Sequence, residues 1–361
     1  MSRYSHLLSA YQQLKQHPQP TVLATIIETQ GSTYQKAGAR MLIDQAGNLN
    51  GLLGGGCFEQ DLVEHAKSVF ETGVAKTVFY DMRSAKDAVW GLGMGCNGAV
   101  RIFLQLLVAT DDFNPLNLLD QAAQSHQQGL LVTICESAHA DFPAAYSLFQ
   151  ANAVITSGQL LQLPVTPEKS RLHTLSIANH RISAFYDRIQ PPRQLLIIGA
   201  GADAIPLLHC AKSLEWRVSV VDHRPAYLDQ LSLAVADQRL HSLPQQLASQ
   251  LDLSRFSAVV LMTHNFDYDQ RFLQAIASSA INFIGLLGPG HRRERLLQGL
   301  TDHGELISQR VFGPVGLDIG AETPAEIALS IMAGIQAYLN GRSGEVLSRK
   351  TTATDHAFFA E

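Results

Sequence analysis

The chain has few cysteines, no excess of positive charge and no long apolar run. Its 361 residues include four cysteines, Cys57, Cys96, Cys135 and Cys210. They are too few and too scattered for a disulfide framework. In a reducing cytoplasm they are expected to be thiols. No apolar stretch approaches the length that crosses a membrane. The opening MSRYSHLLSAYQQLKQHPQP lacks a continuous apolar core and a small-residue cleavage site, so no signal peptide is expected. The formal net charge of −5 excludes a general nucleic-acid binder, which needs a basic surface. A local basic pocket stays open. These absences lead to the expectation of a soluble, cytoplasmic protein with neither nucleic acid nor membrane as partner.

What is present is apolar mass. With 46% hydrophobic and 16% charged residues the chain can bury sizeable cores, and global disorder is excluded. The length suits two or three domains.

The stretch Arg193 to Asp222, RQLLIIGAGADAIPLLHCAKSLEWRVSVVD, is the organising one. Leu195 to Ile198 form the short apolar run of a buried parallel strand. Gly199-Ala200-Gly201 follows, Asp203 to Leu214 reads as a helix, and Arg217 to Val221 as a second strand ending at Asp222. A glycine turn opening a helix, with an acid about twenty residues further on, is the pattern of a dinucleotide-binding βαβ unit. The glycines let backbone approach a phosphate, and the helix N-terminus offers free N–H groups. The acid, Asp222, can accept from a ribose, and Ala204 stands where the third glycine would be. The pattern also suits a Rossmann-like fold with an empty or repurposed pocket, because a fold does not fix a chemistry.

Before this unit, Tyr4, Leu7, Leu8, Tyr11 and Leu14 recur at helical spacing, and Pro18 and Pro20 end that helix. Thr21 to Thr29 and Met41 to Asp44 read as strands, with a turn at Gly47-Asn48. Gly54-Gly55-Gly56-Cys57 then runs straight into a helix, Phe58 to Thr72. Consecutive glycines carry a large ordering cost and are kept where backbone must pass close to another group. A cysteine at a helix N-terminus has a more available thiolate; the other reading of Cys57 is a small buried hydrophobe. A second glycine loop, Gly91-Leu92-Gly93-Met94-Gly95-Cys96, follows the strand Thr77 to Asp81 and leads into the strand Ala99 to Leu107. The spacing of Cys57 and Cys96 is unlike a structural zinc pair. The two loops point to a backbone-lined pocket with an accessible thiol, suited to an anion, a soft metal or sulfur in transit. Leu116 to Gln124 reads as a helix and Leu130 to Glu136 as a strand on which Cys135 is packed. From 138 to 192 short β-like runs (Ala153 to Thr156, Leu172 to Ile177, Arg181 to Tyr186) suggest small antiparallel strands and a linker.

After Asp222, Arg224 faces either a phosphate or solvent. Ser257 to Met262 is the next buried strand, with His264 beyond its carboxyl end, where ligands of open α/β sheets bind; a loop histidine capping a carbonyl is the alternative. Asn282 to Leu287 is a further strand, and Arg292 and Arg293 open a helix. Arginine there opposes the dipole, which makes sense if an anion sits nearby. Asp318 stands between glycines ahead of a helix whose start, Thr323-Pro324-Ala325-Glu326, is a capping box. The fold expected is therefore α/β: an N-terminal α/β domain (1–137), a β-rich joint and linker (138–192), a C-terminal Rossmann-like domain with a doubly wound parallel sheet (193–342), and a tail (343–361).

The motifs together resemble the xanthine dehydrogenase accessory factor family, the XdhC/CoxI-like proteins, over nearly the whole length. The resemblance lies in Gly38-Ala39-Arg40-Met41, Gly55-Gly56-Cys57-Phe58-Glu59 and Gly91 to Cys96 in the N-terminal part. In the C-terminal part it lies in Gly199 to Ala204, Val221 to Pro225, Met262-Thr263-His264, Ile284 to Gly288 and Pro314 to Ala321. Many relatives carry histidine at the position of Ala202. The resemblance implies a chaperone that binds the molybdenum cofactor (molybdopterin, in some forms a nucleotide). It would assist sulfuration of the cofactor by a cysteine desulfurase and insert it into a molybdenum hydroxylase such as xanthine dehydrogenase. The cofactor-binding residues expected are Gly55, Gly56, Cys57, Gly95, Cys96, Gly199, Gly201, Asp203, Asp222, His264 and Asp318, with Cys57 and then Cys96 at the metal. The alternative is an NAD(P)-dependent oxidoreductase with His264 as acid/base, although no Asp partner for His264 is evident in the spacing. A homodimer is expected, closed pairs being the commonest assembly.

Overall fold

The computed structural model describes residues 5–56, 58–83, 98–125, 128–139, 143–151, 169–177, 180–300 and 307–347. The chain divides into two compact units, Ser2–Pro191 and Pro192–Glu361.

The N-terminal unit is built on two antiparallel sheets. The first has the order β3-β2-β1-β5-β4, from β1 (Thr21–Gly31), β2 (Arg40–Asp44), β3 (Leu49–Gly51), β4 (Lys76–Asp81) and β5 (Gly98–Leu107). The first seven residues of β1 are buried because both faces of the strand are covered there. Val22, Ala24 and Ile26 meet Leu62, Ala66 and Val69 of the helix Glu59–Thr72. Leu23, on the other face, joins Leu7 and Leu14 of the helix Ser5–Gln16 and Leu116 and Leu119 of the helix Leu116–Ser125. The period-2 alternation of a strand sorts these side chains, and each fully buried valine, leucine or isoleucine contributes about 1.5–3 kcal/mol. The second sheet has the order β7-β6-β9-β8, from β6 (Gly129–Ser137), β7 (Ser147–Ala151), β8 (Arg171–Ile177) and β9 (His180–Ile189). β6 thus shares a sheet with strands of the stretch expected to be a joint. The run Ala153 to Thr156 lies outside the described residues.

One motif residue, Arg40, finds its reason here. Arg40 on β2 reaches Asp187 on β9 at 2.6 Å, both side chains buried. Ser170 donates to the other Asp187 oxygen at 2.6 Å. A buried charge is tolerable only when paired and hydrogen-bonded.

The C-terminal unit carries six parallel strands in the order β12-β11-β10-β13-β14-β15. They are β10 (Gln194–Ile198), β11 (Arg217–Asp222), β12 (Gln238–His241), β13 (Ala258–Leu261), β14 (Ile284–Leu286) and β15 (Val311–Phe312). One face is covered by the helices Ala204–Ser213 and Pro324–Leu339, through Leu207, Leu208, Ala328 and Ile331. The other is covered by the helix Phe266–Ile276, through Phe272, Leu273 and Ile276. Chain order in the sheet reverses between β10 and β13, which opens a crevice at their carboxyl ends.

Candidate cofactor site

The first glycine loop is closed by the last residue of its motif. Glu59, buried at the first position of its helix, accepts from the N–H of Gly54 at 2.6 Å and of Leu53 and Phe58 at 3.2 Å. A carboxylate at a helix start also suits the dipole. At Gly54 the close approach is therefore made by the protein itself. A Cβ at Gly54 would run into the Phe58 ring, which stacks on Tyr80 at 4.7 Å. Gly55 and Gly56 take φ of 71° and 97°, where glycine is at no disadvantage. Cys57, Gly95 and Cys96 lie outside the described residues. Cys135 is packed, as expected, and burial pushes its thiol up to about 12. Among the described residues no group of three or more His, Cys, Asp or Glu is placed to hold a metal ion.

In the C-terminal unit five of the expected residues come together at the carboxyl ends of β10, β11 and β13. Gly199 has φ of 117°, and a Cβ there would strike the Met262 carbonyl that ends β13. Asp203 stands at the N-cap of the helix Ala204–Ser213, yet its side chain makes no capping bond. It turns over Gly201, whose Cβ would lie 2.7 Å from Asp203 Oδ1, and meets His264 Nε2 at 2.7 Å. His264 itself holds φ of 58°, uncommon outside glycine and worth a functional reading. The missing Asp partner of His264 is therefore present. It was illegible because the residues are 61 apart in sequence and only the adjacency of β10 and β13 joins them.

Asp222 is already engaged within the protein. Its side chain is fully buried. Oδ2 accepts from Ala200 N at 2.7 Å and Arg224 Nη2 at 3.0 Å; Oδ1 accepts from Arg224 N at 2.8 Å and Nε at 3.0 Å. A carboxylate offers about four lone-pair sites, and these donors fill them, leaving none for a ribose. Burial alone would raise this carboxyl, but the bonds from Arg224 and Ala200 outweigh it and hold it below the usual aspartate range. His223 lies 3.4 Å from Asp222. Its burial, against the Tyr268 ring at 3.6 Å, keeps it below the usual imidazole range, so the counter-charge of Asp222 is Arg224.

The arginines at the helix Gly290–Gln298 meet protein acceptors. Arg292 donates to buried Asp269 at 2.8 Å, and Arg293 donates to the carbonyls of Val311 and Ser308. The anion expected there is Asp269. Asp318 is exposed on the turn after β15 and takes no part in the crevice hydrogen bonds.

Six parallel strands around a glycine turn make the C-terminal unit a Rossmann domain, here following an antiparallel α/β unit. The chain belongs to the XdhC and CoxI family. Residues 195–335 match the XdhC Rossmann domain and residues 14–81 match the XdhC and CoxI family domain. It is 33% identical over 337 residues to a probable xanthine dehydrogenase subunit from Bacillus subtilis strain 168, covering 93% of this chain and 97% of that one. It is 21% identical over 317 residues to the molybdenum cofactor insertion chaperone PaoD of Escherichia coli K12, covering 87% and 82%. The crystal structure of a xanthine dehydrogenase from Bacillus halodurans, 29% identical, superposes with a TM-score of 0.76 over 98% of both chains.

Proposed function

We propose that the chain is an accessory protein of a molybdenum hydroxylase such as xanthine dehydrogenase. It binds the molybdenum cofactor, assists its sulfuration with a cysteine desulfurase and passes it to the client enzyme. The observation that carries this reading is similarity through both units to a relative named as a molybdenum cofactor insertion chaperone. The crevice residues fit the phosphate-bearing end of such a group. Gly199 and Gly201 bring bare backbone to the start of the helix Ala204–Ser213, and no side chain caps that helix, so its N–H groups can meet an anion. When bound, the cofactor supplies a soft metal centre that takes thiolate or sulfide ligands. Cys57 and Cys96 are the thiols proposed to approach it, from loops carrying Gly55, Gly56 and Gly95. Asp203 and His264 line the crevice and Asp222 fixes its glycine turn; Asp318 is proposed as a further contact. The protein acts in the cytoplasm as a homodimer. No helix among the described residues is long and apolar enough to cross a membrane.

The test is metal and pterin content. The protein is expressed in cells that make the cofactor and purified without oxygen; molybdenum and oxidised pterin are then assayed. Comparable amounts of both are expected, and Cys57→Ala is expected to lower molybdenum retention several-fold. Absence of both, under conditions where a known carrier keeps them, refutes the reading.

The His264–Asp203 contact favours a second reading, an NAD(P)-dependent oxidoreductase, since an oriented imidazole is a general acid/base. Titration with NADH decides it. No fluorescence change at high concentration removes its support.

A further inference from the structure

The end of the crevice at β11 has a polarity that the sequence pattern does not announce. An acid at this position ordinarily reads the hydroxyls of a ribose, whereas an arginine nearby reads a phosphate attached to it. Here both residue types are present, two positions apart, and the structure separates their roles. Asp222 is buried, with its acceptor sites taken by Ala200 and Arg224. It has nothing left to offer a diol. Arg224 is held rather than free. Its Nε and Nη2 are clipped to Asp222, and its guanidinium carbon lies 3.6 Å from the Tyr227 ring centroid. Gln230 in turn donates to the carbonyls of both Tyr227 and Ala200, at 2.9 and 3.2 Å, tying this turn to the glycine turn.

The side chain of Arg224 remains 34% exposed. Its bonds to Asp222 use Nε and Nη2, so Nη1 keeps its donors for another acceptor. A planar fork held on one edge by a carboxylate and on one face by an aromatic ring presents its remaining edge in a fixed direction. Guanidinium suits phosphate oxygens in this role, with little freedom left to lose on binding.

We infer that this end of the crevice reads a phosphomonoester through Arg224 and turns away an unmodified ribose diol. The inference rests on the reading of the crevice as a ligand site. The same chemistry is offered by a 2′-phosphorylated adenosine and by a pterin with a phosphorylated side chain, so the test has two arms. Calorimetric titration of the full chain compares 2′,5′-ADP with 5′-AMP, which differ only in the 2′-phosphomonoester, and 6-hydroxymethylpterin phosphate with 6-hydroxymethylpterin. In at least one pair the phosphomonoester should bind ten-fold or more tightly than its partner. The pair that shows the preference identifies the source. Arg224→Gln should abolish the preference and Arg224→Lys should restore part of it, with thermal melting of each variant as the fold control. Should Arg224→Gln fail to fold, the wild-type comparison within each pair still decides. Equal affinity within both pairs, or no binding of any of the four, overturns the inference. A phosphate preference in a protein that carries no molybdenum would leave this inference standing and remove the cofactor-carrier reading instead.

Discussion

At the scale of single residues, the chain repeatedly uses its own carboxylates where a ligand's anion was expected. Glu59 takes the amides of Leu53, Gly54 and Phe58 at the first glycine loop, Asp269 answers Arg292, and Asp222 is closed off by Arg224 and Ala200. None of these contacts has a spacing rule, and a sequence shows only that the partners exist. Asp222 yields a stability prediction. Asp222→Asn would set amide hydrogens against donors in a buried place, and leaving such donors unsatisfied costs about 1–3 kcal/mol. Urea unfolding at neutral pH should show a loss of that size. The pH dependence follows from the depressed carboxyl. Its stabilisation is full above the unfolded-state value and is lost as pH falls through the lower folded-state value. The acid-side fall in the wild-type urea midpoint should therefore be shallower in Asp222→Asn. An equally steep fall would show that other carboxylates govern acid unfolding.

At the scale of elements, legibility followed burial. β10 and β11 were readable almost to the residue, because strands covered on both faces must be apolar throughout. β12, with the sequence QRLH, and the wholly exposed β3 carry no such signature; neighbouring strands hold them in place. The C-terminal helix was readable from its cap. Thr323 Oγ1 accepts from Glu326 N at 3.3 Å, and Glu326 accepts from Thr323 N at 2.8 Å, with Pro324 in the first turn. Thr323→Ala should cost about 1 kcal/mol. The cap is solvent-exposed, so nothing else should offset or enlarge the loss. Chemical denaturation of the two proteins checks it, and an unchanged midpoint would mean that packing against Leu207 and Leu208 sets the helix start without the cap.

At the scale of the molecule, the core clusters respect the division of the chain. Among the described residues, those of the C-terminal unit draw on residues from Leu195 to Leu339, and those of the N-terminal unit on residues from Leu7 to Ile189. Each unit therefore owns its apolar interior, the condition for folding alone. A fragment beginning at Pro192 should give a cooperative thermal transition and the circular dichroism of a helix-covered parallel sheet. A non-cooperative melt would show that it depends on the N-terminal half.

The ion pair of Arg40 and Asp187 also bears on the order of events at the ribosome. Its members are 147 residues apart, and chains grow at about 5–20 residues per second. After Arg40 is made, roughly 7–30 s pass before its carboxylate exists. In that interval Arg40 lacks the carboxylate that neutralises it, which disfavours burying its edge of β2 before β9 is made. The N-terminal unit is thereby timed to close late and as a whole, and a nascent chain paused before β9 would present the open edge to chaperones.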